Sequence, residues 1–387
     1  MAALLMGLVL ILAVLSSLLS MNCNRMLNQA MSPPADLPQA ASIESRSIRT
    51  CAPWLKERKV LFLDIATMED YHNPNATYKG GEHYCTASME WALTSLGFQV
   101  DKMRIRKAIR NTPTTYHRIV YNSALSAGAF PGIECRLRPF MYFPGNTFPK
   151  SGYHDRQILT AYSDGRHTFG GYFIHHLVLP DAKENSNTAP VLDSSHQHGL
   201  LLGKVPVHFV QQEHVIAALL EAGFTLHSTC TLCVEEKTLP SSVVNHGMLS
   251  PAAFDILVKQ CSFVLGVGHP PWSPTPFVAV SLGTAFLNPV TPYLLGQPTV
   301  LHRNARFKTQ NNAIALLGRP YVYNYRNVTE AVQFAKEACS TPFEPYVPYE
   351  LRPEAMLARM CSLVEDDSLC RGTVELNATV EVRAYGI

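Results

Sequence analysis

Ser262-Phe-Val-Leu-Gly-Val-Gly-His-Pro-Pro-Trp-Ser-Pro-Thr-Pro-Phe-Val-Ala-Val-Ser-Leu-Gly-Thr-Ala-Phe-Leu-Asn-Pro289 decides the fold. The apolar run Ser262–Val267 fits a strand buried on both faces. Gly266-Val-Gly268 and the prolines that follow break it into a loop. Pro276–Leu282 has the composition of a short helix, Gly283 ends that helix, and Ala285–Asn288 starts another strand. Strand, Gly/Pro-rich loop, helix and strand make one βαβ unit, the building block of a parallel sheet.

The same alternation extends on both sides. Upstream lie an apolar strand at Gly199–Lys204, a helix near Val207–Ala222 and a strand at Phe224–Cys230. Val243-Val-Asn-His-Gly-Met-Leu-Ser250 then leads into a helix over Leu249–Gln260. Downstream come a strand at Gly318–Tyr323 and closing helices at Thr329–Cys339 and Pro353–Glu365. A second series opens much earlier. Lys59-Val-Leu-Phe-Leu-Asp-Ile65 reads as a buried strand, Gly80-Gly81 as a loop, Glu82–Leu96 as a helix capped by Gly97, and Phe98–Val100 as the next strand. Tyr116–Leu125 holds a strand and a short helix, while the Gly-, Pro- and aromatic-rich stretch 130–165 reads as a passage between domains. Phe169–Leu177 reads as a strand or a turn into a helix, and Asp181–His198 as an exposed loop. The expectation is an α/β protein with two Rossmann-like domains facing one cleft.

Composition fits. The chain has 387 residues, enough for two ordinary domains, with 47% hydrophobic and 16% charged residues. A net charge of +2 gives no clustered basic face, so nucleic acid is not an expected partner. Residues 2–20 carry no charge and as a helix would span roughly 28 Å, close to a bilayer core. They read as a signal anchor, with a cleaved signal peptide as the alternative; the run has neither a basic start nor a clear Ala-x-Ala end. Residues 21–55 read as a flexible stem. Three sequons, at Asn75, Asn327 and Asn377, are candidate glycosylation sites and agree with a lumenal body. In that compartment the ten cysteines become disulfide candidates. Cys230-Thr-Leu-Cys233 has redox spacing, but it follows a strand-like run, so a structural bridge or buried thiols are expected. No constellation with metal-ligand spacing stands out, and no metal ligand is assigned.

Four segments are more specific than any periodicity: residues 243–250, Gly283-Thr-Ala-Phe-Leu-Asn-Pro289, Leu317-Gly-Arg-Pro-Tyr-Val322 and Phe343-Glu-Pro-Tyr-Val-Pro-Tyr-Glu350. Through them the chain from about 157 to 370 resembles the catalytic domain of the α-1,6-mannosylglycoprotein 6-β-N-acetylglucosaminyltransferases, glycosyltransferase family 18, as a divergent member. Before residue 157 only Gly80-Gly81-Glu82 and its helix fit. The resemblance implies a GT-B fold, a Golgi membrane protein of single-pass type II topology, and inverting transfer from UDP-N-acetylglucosamine to a mannose of N-glycans without a metal or other cofactor. It divides the chain into an anchor (1–20), a stem (21–55), an acceptor-side domain (56–160), a nucleotide-sugar domain (161–370) and a tail (371–387). It also implies a disulfide at Cys370.

Inverting transfer needs a carboxylate to take the acceptor proton and positive charge or N–H groups to receive the departing diphosphate. Glu82, just after the Gly-Gly loop, is the candidate base; its place in the first turn of a helix also suits the helix dipole, and Glu90 is the reserve. Lys204 sits at the turn after a strand and is a donor-site candidate, against the plain reading of a solvated lysine. Gly266, Gly268, Ser273 and Thr275 belong to the loop expected to face the diphosphate with backbone N–H groups, although its prolines remove some of those donors. His246 and Lys308 complete the candidate donor contacts; His246 has a turn role as its alternative. The family pattern has glutamates where Trp272 and Val278 stand, and neither residue can accept hydrogen bonds from ribose hydroxyls. A GT-B protein that has lost donor binding and acts as a glycan- or partner-binding subunit is therefore the alternative function.

Overall fold

The computed structural model describes residues 58–63, 80–103, 116–121, 134–142, 154–163, 167–178, 190–193, 197–209, 212–231, 233, 239–268, 272–290 and 309–370. The proposed anchor, the stem and the tail lie outside these residues, as do Asn75, Asn377 and Lys308. No helix among the described residues is long and apolar enough to cross a membrane.

Two parallel sheets of six strands organise the chain. The first contains β1 (Lys59–Leu63), β2 (Gln99–Met103), β3 (Arg118–Tyr121), β4 (Leu137–Met141), β5 (Leu159–Thr160) and β6 (Thr168–Phe169), in the order β2-β1-β3-β4-β5-β6. The second contains β7 (His198–Leu202), β8 (Thr225–Ser228), β9 (Val244–Asn245), β10 (Phe263–Gly266), β11 (Ala285–Pro289) and β12 (Val322–Tyr325), in the order β12-β11-β10-β7-β8-β9. Each order reverses once, between β1 and β3 in the first sheet and between β7 and β10 in the second. Connections leave in opposite directions at such a point and open a crevice beyond the carboxyl ends of the strands. Val60 pairs with Arg118 at the first reversal, and Leu200 with Val264 at the second.

Helix α1 (Gly81–Ser95) packs Met89, Ala92 and Leu93 onto Val60, Phe62 and Val120, all buried. Each such large side chain contributes roughly 1.5–3 kcal/mol through burial. α2 (Glu213–Glu221) and α6 (Val328–Ser340) pack together on one face of the second sheet, with Ile216, Leu219, Ala331 and Phe334 in a shared cluster. α3 (Pro251–Gln260) packs against α4 (Thr275–Ser281). Ser250 caps α3 by accepting from the Ala253 N–H at 3.2 Å, with Pro251 at the first helical position, where its missing N–H costs nothing. α5 (Asn312–Ala315) is a single turn.

Two expectations need correction. Residues 130–165 do not form a passage: β4 and β5 lie inside them and β6 just beyond, all in the first sheet. That sheet therefore continues past the division at 160/161. The last helix, α7 (Pro353–Glu365), also leaves the second half and packs on α1. Buried Arg118 fixes it there, donating to the carbonyls of Leu363, Val364 and Asp366 and pairing with Asp367 at 2.9 Å. The Cys135–Cys370 disulfide makes the return covalent, and Cys370 is bridged as the family resemblance implies. Cys230–Cys233 is also a disulfide.

Candidate functional site

The two crevices meet in one cleft of about 950 Å³, part of it continuous with solvent. The first half lines it with Gly80, Gly81 and Tyr84; the second with Lys204, Val205, Thr229 and Thr231, the Met248–Leu249 turn, α3, and the Ser273–Thr275 start of α4. Lys204 follows β7, and Ser273 and Thr275 follow β10, the two strands that flank the reversal in the second sheet.

Gly81 opens α1. A Cβ there would run into the ring of Tyr142, so a side chain cannot be accommodated without moving it. Tyr142 cannot easily move, because its hydroxyl donates to the Trp272 carbonyl at 2.6 Å, and the Tyr162 hydroxyl donates to the same oxygen. Two tyrosines of the first half thus hold one carbonyl of the second. Trp272 adopts φ 56°, a left-handed conformation that is uncommon for a bulky residue and costs on the order of 1–3 kcal/mol. Its ring is buried against Tyr162, with centroids 4.9 Å apart.

Glu82, one residue beyond Gly81, is partly buried in the first turn of α1. Its charge acts on Lys204, the first cation of the second half at the cleft. Burial pulls the Lys204 ammonium down to about 8, and Glu82 opposes that fall. Glu82 is itself not among the cleft-lining residues; it stands beside Gly81, which is, and its charge reaches the lysine of the opposite wall. The Lys204 backbone is fixed, its N–H donating to His208 Nδ1 at 3.1 Å and its carbonyl accepting from the Thr231 N–H at 3.0 Å. The reserve base Glu90 instead pairs with Lys102 at 2.6 Å and is not among the cleft-lining residues.

The loop after β10 differs from expectation. Three of its N–H groups have acceptors within the protein: Gly268 donates to Gln310 Oε1 at 2.8 Å, Trp272 to the Gln310 carbonyl at 3.2 Å, and Thr275 to Ser273 Oγ at 3.2 Å. Asn311 donates to the Ser273 carbonyl at 3.0 Å and caps α5. Gly266 is a packing residue, since a Cβ would meet Gln310 and Pro289, and its carbonyl accepts from the Tyr325 hydroxyl at 2.6 Å. Neither Gly266 nor Gly268 lines the cleft; the loop presents the hydroxyls of Ser273 and Thr275, 3.0 Å apart.

His246 lies outside the lining as well. It ends a chain of three histidines across β7, β8 and β9: His198 Nε2 donates to the Asp193 carbonyl at 2.6 Å, and His227 bridges His198 and His246 at 2.9 Å on each side. With neutral rings every N–H must point toward Asp193, because each imidazole has one donor and one acceptor. Burial, reinforced by His246 and His198, drives His227 down to about 4, and burial lowers His246. This chain escaped the sequence reading because its members are 29 and 19 residues apart. Asp255 on α3 also escaped it, although it lines the cleft. No group of three or more His, Cys, Asp or Glu among the described residues is placed to hold a metal ion. Asn327 caps α6 through its side-chain oxygen and is exposed.

Two parallel α/β sheets reversing at a shared cleft, with a glycine pair at a helix start on one wall and a lysine and hydroxyls on the other, define a glycosyltransferase-like architecture. The chain belongs to glycosyltransferase family 18, whose family model matches residues 144–383. It is 30% identical over 189 residues to human α-1,6-mannosylglycoprotein 6-β-N-acetylglucosaminyltransferase A, a match covering 45% of this chain and 24% of that protein. The corresponding Caenorhabditis elegans enzyme is 28% identical over 170 residues, covering 39% and 24%. The chain thus spans about a quarter of the length of these relatives. Among solved structures, a glycosyltransferase from Rickettsia africae aligns over 82% of this chain and 100% of its own at TM-score 0.45 and 8% identity. Anabaena HepE, solved with UDP and glucose, aligns over 80% and 95% at TM-score 0.43 and 10% identity.

Proposed function

We propose that the protein is an inverting GT-B N-acetylglucosaminyltransferase that moves the sugar of UDP-N-acetylglucosamine to a mannose of N-glycans, forming a β1,6 branch. The observation that carries this is the cleft between the two halves, where Gly80 and Gly81, beside Glu82, face Lys204 at the strand-order reversals of both sheets and the charge of Glu82 acts on the lysine. Glu82 takes the proton of the acceptor hydroxyl as its oxygen attacks the anomeric carbon. UDP leaves from the opposite face, which inverts the configuration. Lys204 receives the charge of the departing diphosphate, and the Thr275 hydroxyl, which accepts from Ser273 Oγ, supplies a further donor. In this scheme the chain's own lysine meets the diphosphate, and no metal is required. The acceptor side falls to the first half and the donor side to the second.

The protein is further proposed to be a Golgi membrane protein of type II topology, anchored by residues 2–20 with a lumenal body. The Cys135–Cys370 and Cys230–Cys233 bridges support an oxidising compartment, and the exposed Asn327 sequon fits a lumenal face.

Calorimetric titration of the full chain with UDP and UDP-N-acetylglucosamine tests the reading, followed by transfer to an N-glycan acceptor. Micromolar binding and transfer, with transfer lost in Glu82→Gln, are expected. A folded protein that ignores millimolar UDP would refute the donor assignment and leave a glycan- or partner-binding subunit as the better description.

A further inference from the structure

Among the described residues that line the cleft, Asp255 is the carboxylate. It sits on α3 with Pro251 and Phe254, which line the same wall. α3 packs on α4, whose Val278 faces the same space with an apolar side chain. The wall formed by the two helices therefore combines a hydrocarbon surface with one acidic group. Lys204, Thr229 and Thr231 follow the neighbouring strands β7 and β8.

A nucleoside diphosphate sugar has a chemistry that matches this division. Its diphosphate is anionic and belongs near the lysine. A carboxylate beside the diphosphate would repel it, so Asp255 must face a neutral part of the ligand. Among its neutral hydrogen-bond donors, vicinal hydroxyls occur on both sides of the diphosphate, on the ribose and on the transferred sugar. An ionised carboxylate is acceptor-only and can take a hydrogen bond on each oxygen, and charge-assisted bonds of this kind are about twice as strong as neutral ones. Asp255 is also approached from the first half: His176 Nδ1 lies 3.9 Å from its Oδ2, longer than a hydrogen bond. His176 belongs to the one-turn helix His175–Leu177. That turn is held on α1 by His175, which stacks on Tyr84 with centroids 3.8 Å apart and meets Ser88 Oγ at 2.8 Å.

We infer that Asp255 is the diol-recognising carboxylate of this cleft, accepting hydrogen bonds from vicinal hydroxyls of a nucleoside diphosphate sugar while Lys204 holds its diphosphate. The inference rests on the proposed donor reading and adds the residue that orients the donor. Two parts of the ligand carry this chemistry, the ribose and the transferred sugar.

The test is calorimetry of the full chain and of Asp255→Asn with UDP, 2′,3′-dideoxy-UDP and UDP-N-acetylglucosamine, with thermal unfolding of both proteins as the folding control. If the ribose is the target, the unsubstituted protein binds UDP ~10–100-fold more tightly than the dideoxy analogue, and Asp255→Asn erases most of that preference. If the transferred sugar is the target, the same substitution instead erases the preference for UDP-N-acetylglucosamine over UDP. Either pattern supports the assignment. Equal weakening of all three ligands, or no change in any, overturns it. Failure of the unsubstituted protein to bind UDP at all is a different result, and it removes the donor reading itself.

Discussion

The two sheets share their size and direction but reverse strand order differently, and they bring different chemistry to the cleft. The first follows the 2-1-3-4-5-6 pattern and meets the cleft with a glycine pair at the start of α1, next to the acid Glu82. The second follows 3-2-1-4-5-6 when counted from β7 and meets it with a lysine and hydroxyls. A reversal guarantees a crevice and leaves open which groups fill it. In the second half a Gly-x-Gly loop of the kind that elsewhere cradles phosphate spends the N–H groups of Gly268, Trp272 and Thr275 on Gln310 and Ser273, and turns the Ser273 and Thr275 side chains to the cleft.

This division of labour can be broken one half at a time. The largest effect is expected from Glu82→Gln. It should lower kcat by ~10²–10⁴-fold while leaving UDP affinity within about twofold, as expected for removal of a general base; a parallel loss of UDP binding would show that the halves do not divide the work as described. Next is Lys204→Ala, expected to weaken UDP binding by roughly 10–100-fold, the scale of a charged hydrogen bond. With Lys204 at about 8 in the free protein, UDP affinity should be flat below that pH and fall above it, since only the protonated form attracts the diphosphate. The stability of the unliganded protein should move the other way. The unfolded chain keeps this proton to about 10.5, so Lys204 favours the folded state increasingly as pH rises from about 8 toward 10.5. Titrations and thermal melts across pH 7–10, compared with Lys204→Ala, would show both slopes.

Arg118→Met probes the first half without touching the cleft. It strips donors from three carbonyls at the end of α7 and should cost about 1–3 kcal/mol for each one left buried and unsatisfied, read by chemical unfolding. The smallest effect concerns the histidine chain. His227 titrates near 4 in the folded protein and near 6.5 when unfolded, so its contribution to stability is complete above 6.5 and is lost as pH falls toward 4. His227→Phe should flatten that part of the acid limb in melts between pH 7 and 4; an unchanged slope would place the acid sensitivity elsewhere.

Sequence reading served the second half better than the first, for a physical reason. β7, β10 and β11 are short apolar runs closed by glycine or polar residues, and burial on both faces dictates that pattern. β5 and β6 have two residues each, too few to show a period, and β4 contains Pro139. Their strand character comes from their neighbours in the sheet, so residues 130–165 resembled a linker. The amphipathic pattern of Pro353–Glu365 revealed a helix but could not say which sheet it covers; that depends on Arg118, 245 residues before the Leu363 carbonyl it binds. In the cleft, Lys204, Ser273 and Thr275 were legible because they follow strands at a reversal. Asp255 was not, since it sits inside a helix with no motif around it. The three histidines were equally opaque, because pairing across β7, β8 and β9 brings them together.

The return of α7 also sets an order in time. The first sheet begins at Lys59, yet its covering helix ends at Glu365, and Cys135 must wait for a partner made 235 residues later. At a synthesis rate of about 5–20 residues per second, that wait is roughly 12–47 seconds. All six strands of the second sheet emerge within it. The half that starts first is thus the half completed last, and a ribosome that stops before residue 353 leaves it without its last helix and with Cys135 unable to reach its native partner.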